Sequence, residues 1–302
     1  MTQFQLPARL PFSLYSTVRS HGWVQLAPFV WDEEMQILGY ILRLGSGRVI
    51  ALRLSQAPGG VRLQAGADLT TLEQDELAST VTWMLALDQD FSTFYALASQ
   101  EPKLQSMVTA ARGRVLRSPT LFEDVVRTIL TTNTLWAATK RMCLNLVEQF
   151  GQPLEGEVES DLAPILHPLQ RAFPTPARLA ASDEATLRAQ TRLGYRAPYI
   201  LELAQNVASG ALDLEALKHS DLPTPELRKR LLAIKGIGGY AVAVLLMILG
   251  RYDAIPVDSW ALKSVSNEWY GGQPVGKAEV EAAFECWGEW RGLAYWFWDW
   301  KE

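Results

Sequence analysis

The first third of the chain alternates apolar and polar positions in the manner of β-strands. Ile37–Leu44 and Val49–Leu54 are apolar, β-branched runs joined by the turn residues Gly45-Ser46-Gly47, and Gly60–Gln64 forms a third run. Runs of this length separated by turn residues predict a small antiparallel sheet.

From Thr70 onward the apolar residues recur with helical spacing. We expect helices at Thr70–Leu85 and Phe91–Ala98, so residues 1–110 are predicted to form an N-terminal α+β domain. Residues 111–302 are predicted to be all-α. The segments expected there are a helical stretch Leu121–Phe150 interrupted at Thr131–Thr134, a loop at Pro153–Leu169, and short helices at Pro176–Ala181, Asp183–Gln190 and Pro198–Ser209.

Composition is that of a folded protein, since 48% of the residues are hydrophobic and 20% are charged. The longest apolar run, Ala241–Leu249, is too short to span a bilayer. The segment up to Arg9 lacks the basic start and apolar core of a signal peptide. We therefore expect a cytoplasmic protein without a membrane partner, and a monomer by default.

The formal net charge of −5 argues against a nucleic-acid partner, because phosphate binding is driven by clustered Lys and Arg. Net charge describes the whole chain, however, and local basic clusters exist. They are Arg112, Arg114 and Arg117; Lys140 and Arg141; Arg192 and Arg196; and Arg228, Lys229, Arg230 and Lys235. A basic face on an acidic protein therefore stays open.

A helical hairpin with a glycine turn is predicted within residues 228–250. The turn, Lys235-Gly236-Ile237-Gly238-Gly239, joins two apolar segments and is followed at once by the second helix. Glycines allow tight backbone conformations, and the helix N-terminus turns its N–H groups toward the same place. An anion such as a DNA phosphate fits there, although a hairpin without any ligand has the same pattern.

Asp258 follows the extended segment Ile255-Pro256-Val257 and precedes a helix, as an N-cap does. Capping alone would explain it. The hairpin and the Pro-Val-Asp segment together, however, resemble the helix-hairpin-helix DNA glycosylases, in the branch of 3-methyladenine glycosylase II and 8-oxoguanine glycosylase. Leu121–Leu130, Leu193–Ile200 and the N-terminal His21-Gly22-Trp23 resemble further segments of that branch.

The resemblance implies a fold of three parts, an antiparallel sheet domain ahead of two helical lobes with a cleft between them. It implies base excision repair of damaged double-stranded DNA by base flipping, with Asp258 as the catalytic carboxylate. Lys235, Gly236, Ile237, Gly238 and Gly239 would bind the DNA backbone, and the protein would associate with the nucleoid. The wedge that fills the gap in the DNA would be Asn133 first and Leu135 second.

Bifunctional relatives carry a lysine in the second hairpin helix that attacks the sugar, and Tyr240 stands at that position here. A phenol cannot form an imine, so a monofunctional enzyme without lyase activity is expected. The residues expected in the base pocket are Trp136, Tyr240, Tyr295, Trp296 and Trp298. Electron-rich rings favour cationic, alkylated purines, while the tryptophans of the tail could equally be core.

No cofactor is expected beyond an optional structural monovalent cation at the hairpin. Two cysteines, Cys143 and Cys286, are too few for a disulfide framework or an iron–sulfur cluster, and we expect both to be core thiols. Three alternatives stay open: a damage-sensing DNA-binding module without catalysis, a glycosylase for oxidised or deaminated bases, and a helical scaffold that binds no nucleic acid.

Overall fold

The computed structural model describes residues 2–154 and 170–298. Most of the loop predicted at Pro153–Leu169 lies outside the described residues, as does Trp300 of the tail. None of the helices in these two ranges combines the length and the apolar character that a membrane span requires.

A five-stranded antiparallel sheet begins the chain, in the order β1-β5-β4-β3-β2. The strands are β1 (Thr2–Pro7), β2 (Phe29–Asp32), β3 (Ile37–Arg43), β4 (Val49–Ala57) and β5 (Gly60–Ala65). Tyr40 pairs with Leu52 across β3 and β4, whose connecting turn uses Gly47 at a φ of +92°. The predicted antiparallel sheet is confirmed.

Strands β1 and β2 were not predicted from the sequence. β1 is an edge strand that alternates between partly buried and exposed residues, and it pairs only with β5. β2 has four residues. Such short or half-exposed segments become strands because a neighbour offers a free edge, which the local pattern does not reveal.

The α-helices are numbered in chain order over the described residues. They are α1 (Leu14–Val18), α2 (Thr71–Leu85), α3 (Ser92–Ala98), α4 (Gln105–Thr109), α5 (Leu121–Thr131), α6 (Trp136–Phe150), α7 (Pro176–Ala180), α8 (Glu184–Thr191), α9 (Ala197–Ala208), α10 (Thr224–Leu232), α11 (Gly239–Ile248), α12 (Ser259–Trp269), α13 (Lys277–Ala283) and α14 (Arg291–Trp296). The α+β fold class is confirmed, and the helical stretch breaks between α5 and α6 where the sequence predicted.

Contacts divide the described chain into two units, and each takes residues from both sides of position 110. Unit 1 comprises residues 2–90, 114–154 and 170–215, including the whole sheet. Unit 2 comprises residues 91–113 and 216–298, including the predicted hairpin and Asp258. The proposed division of the sequence at residue 110 stays a prediction.

Within unit 1, α5 is held by buried polar groups. The indole N–H of Trp23 donates to Asp124 Oδ1 at 2.8 Å, and Arg127 donates to the carbonyls of Leu26 and Ala27 at 3.2 and 3.0 Å. Asp124 and Arg127 are fully buried. Because buried charges are stable only with partners, these bonds fix α5 and hence the turn at its C-terminal end.

Candidate active site

The predicted hairpin is formed by α10 and α11, with a turn over residues 233–238 between them. Gly236 adopts a φ of +91°, which residues with a side chain rarely do. Ile234 and Ile237 are buried beneath the turn, and the Ile237 N–H donates to the Ile234 carbonyl at 3.1 Å. Ile237 therefore fixes the turn from inside the unit, while Lys235 lies on its exposed side.

Gly238 and Gly239 lie at the exposed start of α11. A Cβ built on either residue would meet no heavy atom within 4 Å, and Gly238 has an ordinary φ of −101°. The N–H groups of Gly239 and Tyr240 have no acceptor among the described residues, as is usual in the first turn of a helix. The turn thus presents bare main chain and free donors, an arrangement suited to an anion.

Asp258 caps the N-terminus of α12, as predicted. Its Oδ1 accepts the Ala261 N–H at 2.9 Å, and the hydroxyl of Tyr295 donates to the same oxygen at 3.3 Å. The residue is exposed, so its carboxylate does not turn into the interior. For Oδ2 the described residues offer no hydrogen bond, and this oxygen is free to act on a bound molecule.

The chain that leads to Asp258 is fixed by the start of α14. The Gly292 N–H donates to the Tyr252 carbonyl at 2.7 Å, and Arg291 Nε donates to the Asp253 carbonyl. A Cβ on Gly292 would lie 2.2 Å from the Ala254 carbonyl oxygen, a distance no side chain tolerates. Only glycine allows these two main chains to approach so closely.

Two tyrosines and a tryptophan lie around the carboxylate. Partial burial of Tyr240, and after it the negative charge of Asp258, raise the pKa of this phenol. The ring of Trp260, two residues beyond Asp258, lies 5.8 Å from the ring of Tyr295 and is 51% exposed. We did not single out Trp260 from the sequence as a pocket residue, although its place just after the predicted catalytic residue was a usable signal.

The other predicted pocket residues of the tail, Trp296 and Trp298, also belong to unit 2, and their place in a base pocket stays a prediction. Trp298 is buried, its indole N–H donates to Glu268, and its ring packs against Phe284 at 5.1 Å and Trp269 at 5.3 Å. Trp296 is partly buried at the end of α14. The structure therefore brings Tyr240 and Tyr295 to Asp258, and it gives Trp298 a place in an aromatic cluster.

The predicted wedge residues occupy the turn between α5 and α6 in unit 1. Asn133 is exposed at a φ of +48°, and Leu135 is 80% exposed. Arg196 donates to the carbonyls of Thr132 and Asn133, and the Tyr195 hydroxyl donates to that of Thr132 at 3.3 Å. The Gly-Tyr-Arg segment, recognised in the sequence only by resemblance, thus holds the wedge turn.

Trp136, the remaining pocket residue of the prediction, begins α6 in unit 1. Its indole N–H donates to Gln25 Oε1 at 2.9 Å, and its ring covers Gly22 so closely that a Cβ there would lie 2.4 Å away. Its role in a base pocket stays a prediction.

Among the described residues, no group of three or more His, Cys, Asp or Glu could hold a metal ion. The monovalent cation at the hairpin stays a prediction. Cys143 is buried as expected, whereas Cys286 is exposed, so the expectation of a core thiol there was wrong. Cys286 lies in a short 3₁₀ segment, Glu285–Trp290, between α13 and α14, and its side chain is exposed there.

Several solved structures share this fold. The 3-methyladenine DNA-glycosylase from Archaeoglobus fulgidus matches with a TM-score of 0.74 and 20% identity, over 98% of this chain and 97% of that one. An 8-oxoguanine glycosylase/lyase from Clostridium acetobutylicum, in complex with double-stranded DNA containing cytosine opposite 8-oxoguanine, matches with a TM-score of 0.71 and 21% identity, over 95% and 90% of the two chains. A structure of MBOgg1 with a low-affinity DNA ligand matches with a TM-score of 0.73 and 23% identity, over 98% of this chain and 92% of that one.

At such low identities, the similarity of the structures establishes a common fold and leaves the substrate open. Comparison with curated proteins finds no sequence that matches this chain. The family model of the HhH-GPD superfamily base excision DNA repair proteins matches residues 126–289, a range that contains the wedge turn, the hairpin and Asp258. With more than half of its sequence matched and its fold in agreement, this chain belongs to the HhH-GPD superfamily of base excision DNA repair proteins.

Proposed function

We propose that this protein is a monofunctional DNA glycosylase that hydrolyses the N-glycosidic bond of alkylated purines in duplex DNA. The observation that carries the proposal is the exposed carboxylate of Asp258, which has Tyr240 and Tyr295 near it and one oxygen that accepts no hydrogen bond from the described residues. In a family of base excision repair proteins, a carboxylate so placed has a direct chemical use.

Cleavage of an N-glycosidic bond builds positive charge on the sugar, and a fixed carboxylate stabilises that charge as it develops. In the reaction proposed here, water forms a bond to C1′ while the bond from C1′ to the base nitrogen breaks. The electron pair of that bond leaves with the base and neutralises the charge of an alkylated purine. Asp258 accepts the proton that the attacking water loses.

Tyr240 supports hydrolysis without a lyase step. Strand cleavage through a Schiff base requires an amine that attacks C1′, and the resembling bifunctional enzymes supply it from this position of the hairpin. A phenol forms no imine. Lys235, the nearest lysine of the hairpin, belongs to the turn that would meet the DNA backbone.

The aromatic residues near Asp258 support alkylated purines as substrates. N-alkylation gives a purine nucleoside a positive charge, and contact of a cation with an aromatic face contributes about 0.5–2 kcal/mol. Tyr240 and Trp260 are partly exposed and available for such contact, and Tyr295 packs beside Trp260.

The hairpin and the wedge turn support DNA as the partner. Free N–H groups at Gly239 and Tyr240 suit a backbone phosphate, which requires no sequence readout. Asn133 and Leu135, both exposed, would fill the gap left by a flipped nucleotide. Two of the similar structures are complexes with DNA.

A panel of duplexes tests the proposal. Each duplex carries one of 3-methyladenine, 1,N6-ethenoadenine, hypoxanthine, uracil or 8-oxoguanine, and abasic sites are scored as strand breaks with and without alkali. We expect breaks at the alkylated purines that require alkali. Breaks without alkali would show a lyase and contradict the role given to Tyr240.

One alternative has a specific observation behind it, namely the fold shared with an 8-oxoguanine glycosylase/lyase. Release of 8-oxoguanine alone would overturn the alkylated substrate. Tight binding of the duplexes without release of any base would instead favour a DNA-binding module without catalysis. A lack of duplex binding that weakens with rising salt would favour a helical scaffold that binds no nucleic acid.

Asp258→Asn is the first variant to examine. Removing the charge while keeping the cap should lower the single-turnover rate by about 10²–10³-fold or more. Affinity for a duplex with a tetrahydrofuran abasic analogue should stay within about twofold, because the hairpin is unchanged. Asp221→Asn, at an exposed site in the loop before α10, is the matched control.

A further inference from the structure

The Asp258 carboxylate accepts two hydrogen bonds from the part of the chain that the structure describes, and both are accepted by Oδ1. The Ala261 N–H reaches Oδ1 at 2.9 Å and the Tyr295 hydroxyl reaches it at 3.3 Å. A carboxylate held by a single bond can rotate about its terminal torsion, which has broad minima. A second donor on the same oxygen restricts that rotation.

Tyr295 is itself held in place. It belongs to α14, which contacts the main chain of residues 252–254, and it is only 5% exposed. Its ring packs edge-on against Phe284 at 5.7 Å. Burial first, and then the charge of Asp258 and the hydrogen bond to it, raise the pKa of this phenol, so it stays protonated and able to donate.

We propose that Tyr295 is a positioning residue for Asp258, whose hydroxyl fixes Oδ1 and thereby presents Oδ2 to the sugar and the attacking water. The inference rests on the proposed function and extends it. It adds a second role to the expectation that Tyr295 belongs to the base pocket. Misplacement of a reacting group by about 1 Å can cost about 10²-fold in rate. The hydroxyl would therefore affect the rate by holding the carboxylate in place, without touching the substrate itself.

Tyr295→Phe tests this role because it removes the hydroxyl and keeps the ring. On whichever base the wild type releases, the single-turnover rate at saturating enzyme should fall about 10- to 100-fold. The dissociation constant for the tetrahydrofuran duplex should change by less than about twofold. Tyr270→Phe, at the exposed C-terminal end of α12, is the matched control and should keep the wild-type rate.

A double-mutant cycle tests the contact without any catalysis. Urea unfolding of the wild type, Tyr295→Phe, Asp258→Ala and the double variant should give effects on stability that do not add, since either single substitution removes the hydrogen bond that the two side chains share. Strict additivity would overturn the inference.

The outcomes separate the inference from the proposed function. If the wild type releases an alkylated purine and Tyr295→Phe does so at the same rate, the positioning role is wrong and the glycosylase stands. If the Tyr295→Phe duplex affinity falls as much as its rate, the hydroxyl serves binding and the positioning role is also wrong. If the wild type releases no base, the proposed function fails first and the positioning role fails with it.

Discussion

Two glycines of the hairpin, Gly236 and Gly238, differ in the reason for which glycine is needed. Gly236 has a φ of +91° and is required by the backbone of the turn. Gly238 has a φ of −101°, and a Cβ built on it would meet no heavy atom within 4 Å. Neither its backbone conformation nor its surroundings therefore require glycine. Glycine would be required at position 238 if a DNA phosphate approaches the main chain there.

Gly238→Ala is therefore expected to separate stability from DNA binding. The free energy of unfolding should change by less than about 1 kcal/mol, because alanine restricts the unfolded chain but is a poorer N-cap for α11 than glycine. Affinity for duplex DNA should fall about tenfold, the equivalent of one weakened hydrogen bond to a charged group. Urea unfolding and a filter-binding titration measure the two effects.

The control for this variant is Gln205→Ala, on the exposed face of α9, which should change neither quantity. Wild-type affinity in Gly238→Ala would show that DNA does not contact this part of the main chain.

Single residues were predictable from the sequence where the local chain determined their conformation. Asp258 was expected as an N-cap because it follows Pro256 and precedes a helix, and that prediction is confirmed. Trp260 and the hydroxyl of Tyr295 were not assigned, because their relation to Asp258 depends on α14 packing onto a distant segment. Local sequence carries no information on such contacts.

At the scale of elements, the turn between α5 and α6 depends on a segment more than sixty residues later. Arg196 is buried at 6% exposure and donates to the Thr132 and Asn133 carbonyls. The break in the helix was predictable from Thr131–Thr134. The arginine that holds the break was not, since only the tertiary fold brings it there.

Arg196→Met should loosen this turn while roughly keeping the side-chain volume. We expect the free energy of unfolding to fall by about 1.5–3 kcal/mol, since two carbonyls lose a charged donor. Unstacking of a 2-aminopurine beside a tetrahydrofuran site, followed by fluorescence, should weaken as the wedge residues lose their fixed position.

Arg188→Met controls for loss of positive charge, because the contact of Arg188 within residues 2–154 and 170–298 is an exposed ion pair with Glu184. Unstacking equal to that of the wild type in Arg196→Met would show that the wedge does not depend on this contact.

At the scale of the whole molecule, the sequence predicted the fold class but left open which segments pack together. The spacing of apolar residues along a helix or strand indicates which face of that element is buried. It does not say that Phe91 packs against Tyr252 and Trp290, contacts that assign residues 91–113 to unit 2. The buried ionisable groups of unit 1 were hidden for the same reason.

One of these groups, Glu123, should make the stability of the protein depend on pH. It accepts a hydrogen bond from the Tyr40 hydroxyl, and Arg127 lies 3.5 Å from it. Burial raises the pKa of Glu123 to about 7, against the opposing influence of Arg127. The folded state thus binds this proton more tightly than the unfolded state, so stability is lost as pH rises from about 4.5 through 7.

Glu123→Gln should remove this dependence. The free energy of unfolding of the wild type relative to the variant should fall by up to about 3 kcal/mol between pH 4.5 and 7. Urea unfolding at closely spaced pH values gives the difference.

His21 has the opposite effect in the same range, because burial lowers its pKa to about 4 and stability is lost as pH falls from 6.5. It is present in both proteins and cancels from the comparison. If the difference in unfolding free energy between the wild type and Glu123→Gln stayed constant with pH, titration of Glu123 would be contradicted. The control is Glu148→Gln, at an exposed site on α6, whose difference from the wild type should stay constant with pH.

The bare backbone at Gly292 has a consequence for how the enzyme can change. The main chain at Gly292 contacts the main chain of residues 252–254 directly, and this contact determines the course of the segment before Asp258. No side chain lies between the two main chains, so no substitution of such a side chain can alter their spacing. The main-chain position of Asp258 is therefore set without the rings of Trp260 and Tyr240. Substitutions at Trp260 and Tyr240 should leave the carboxylate of Asp258 where it is, so that the surface around this carboxylate can change in sequence without moving it.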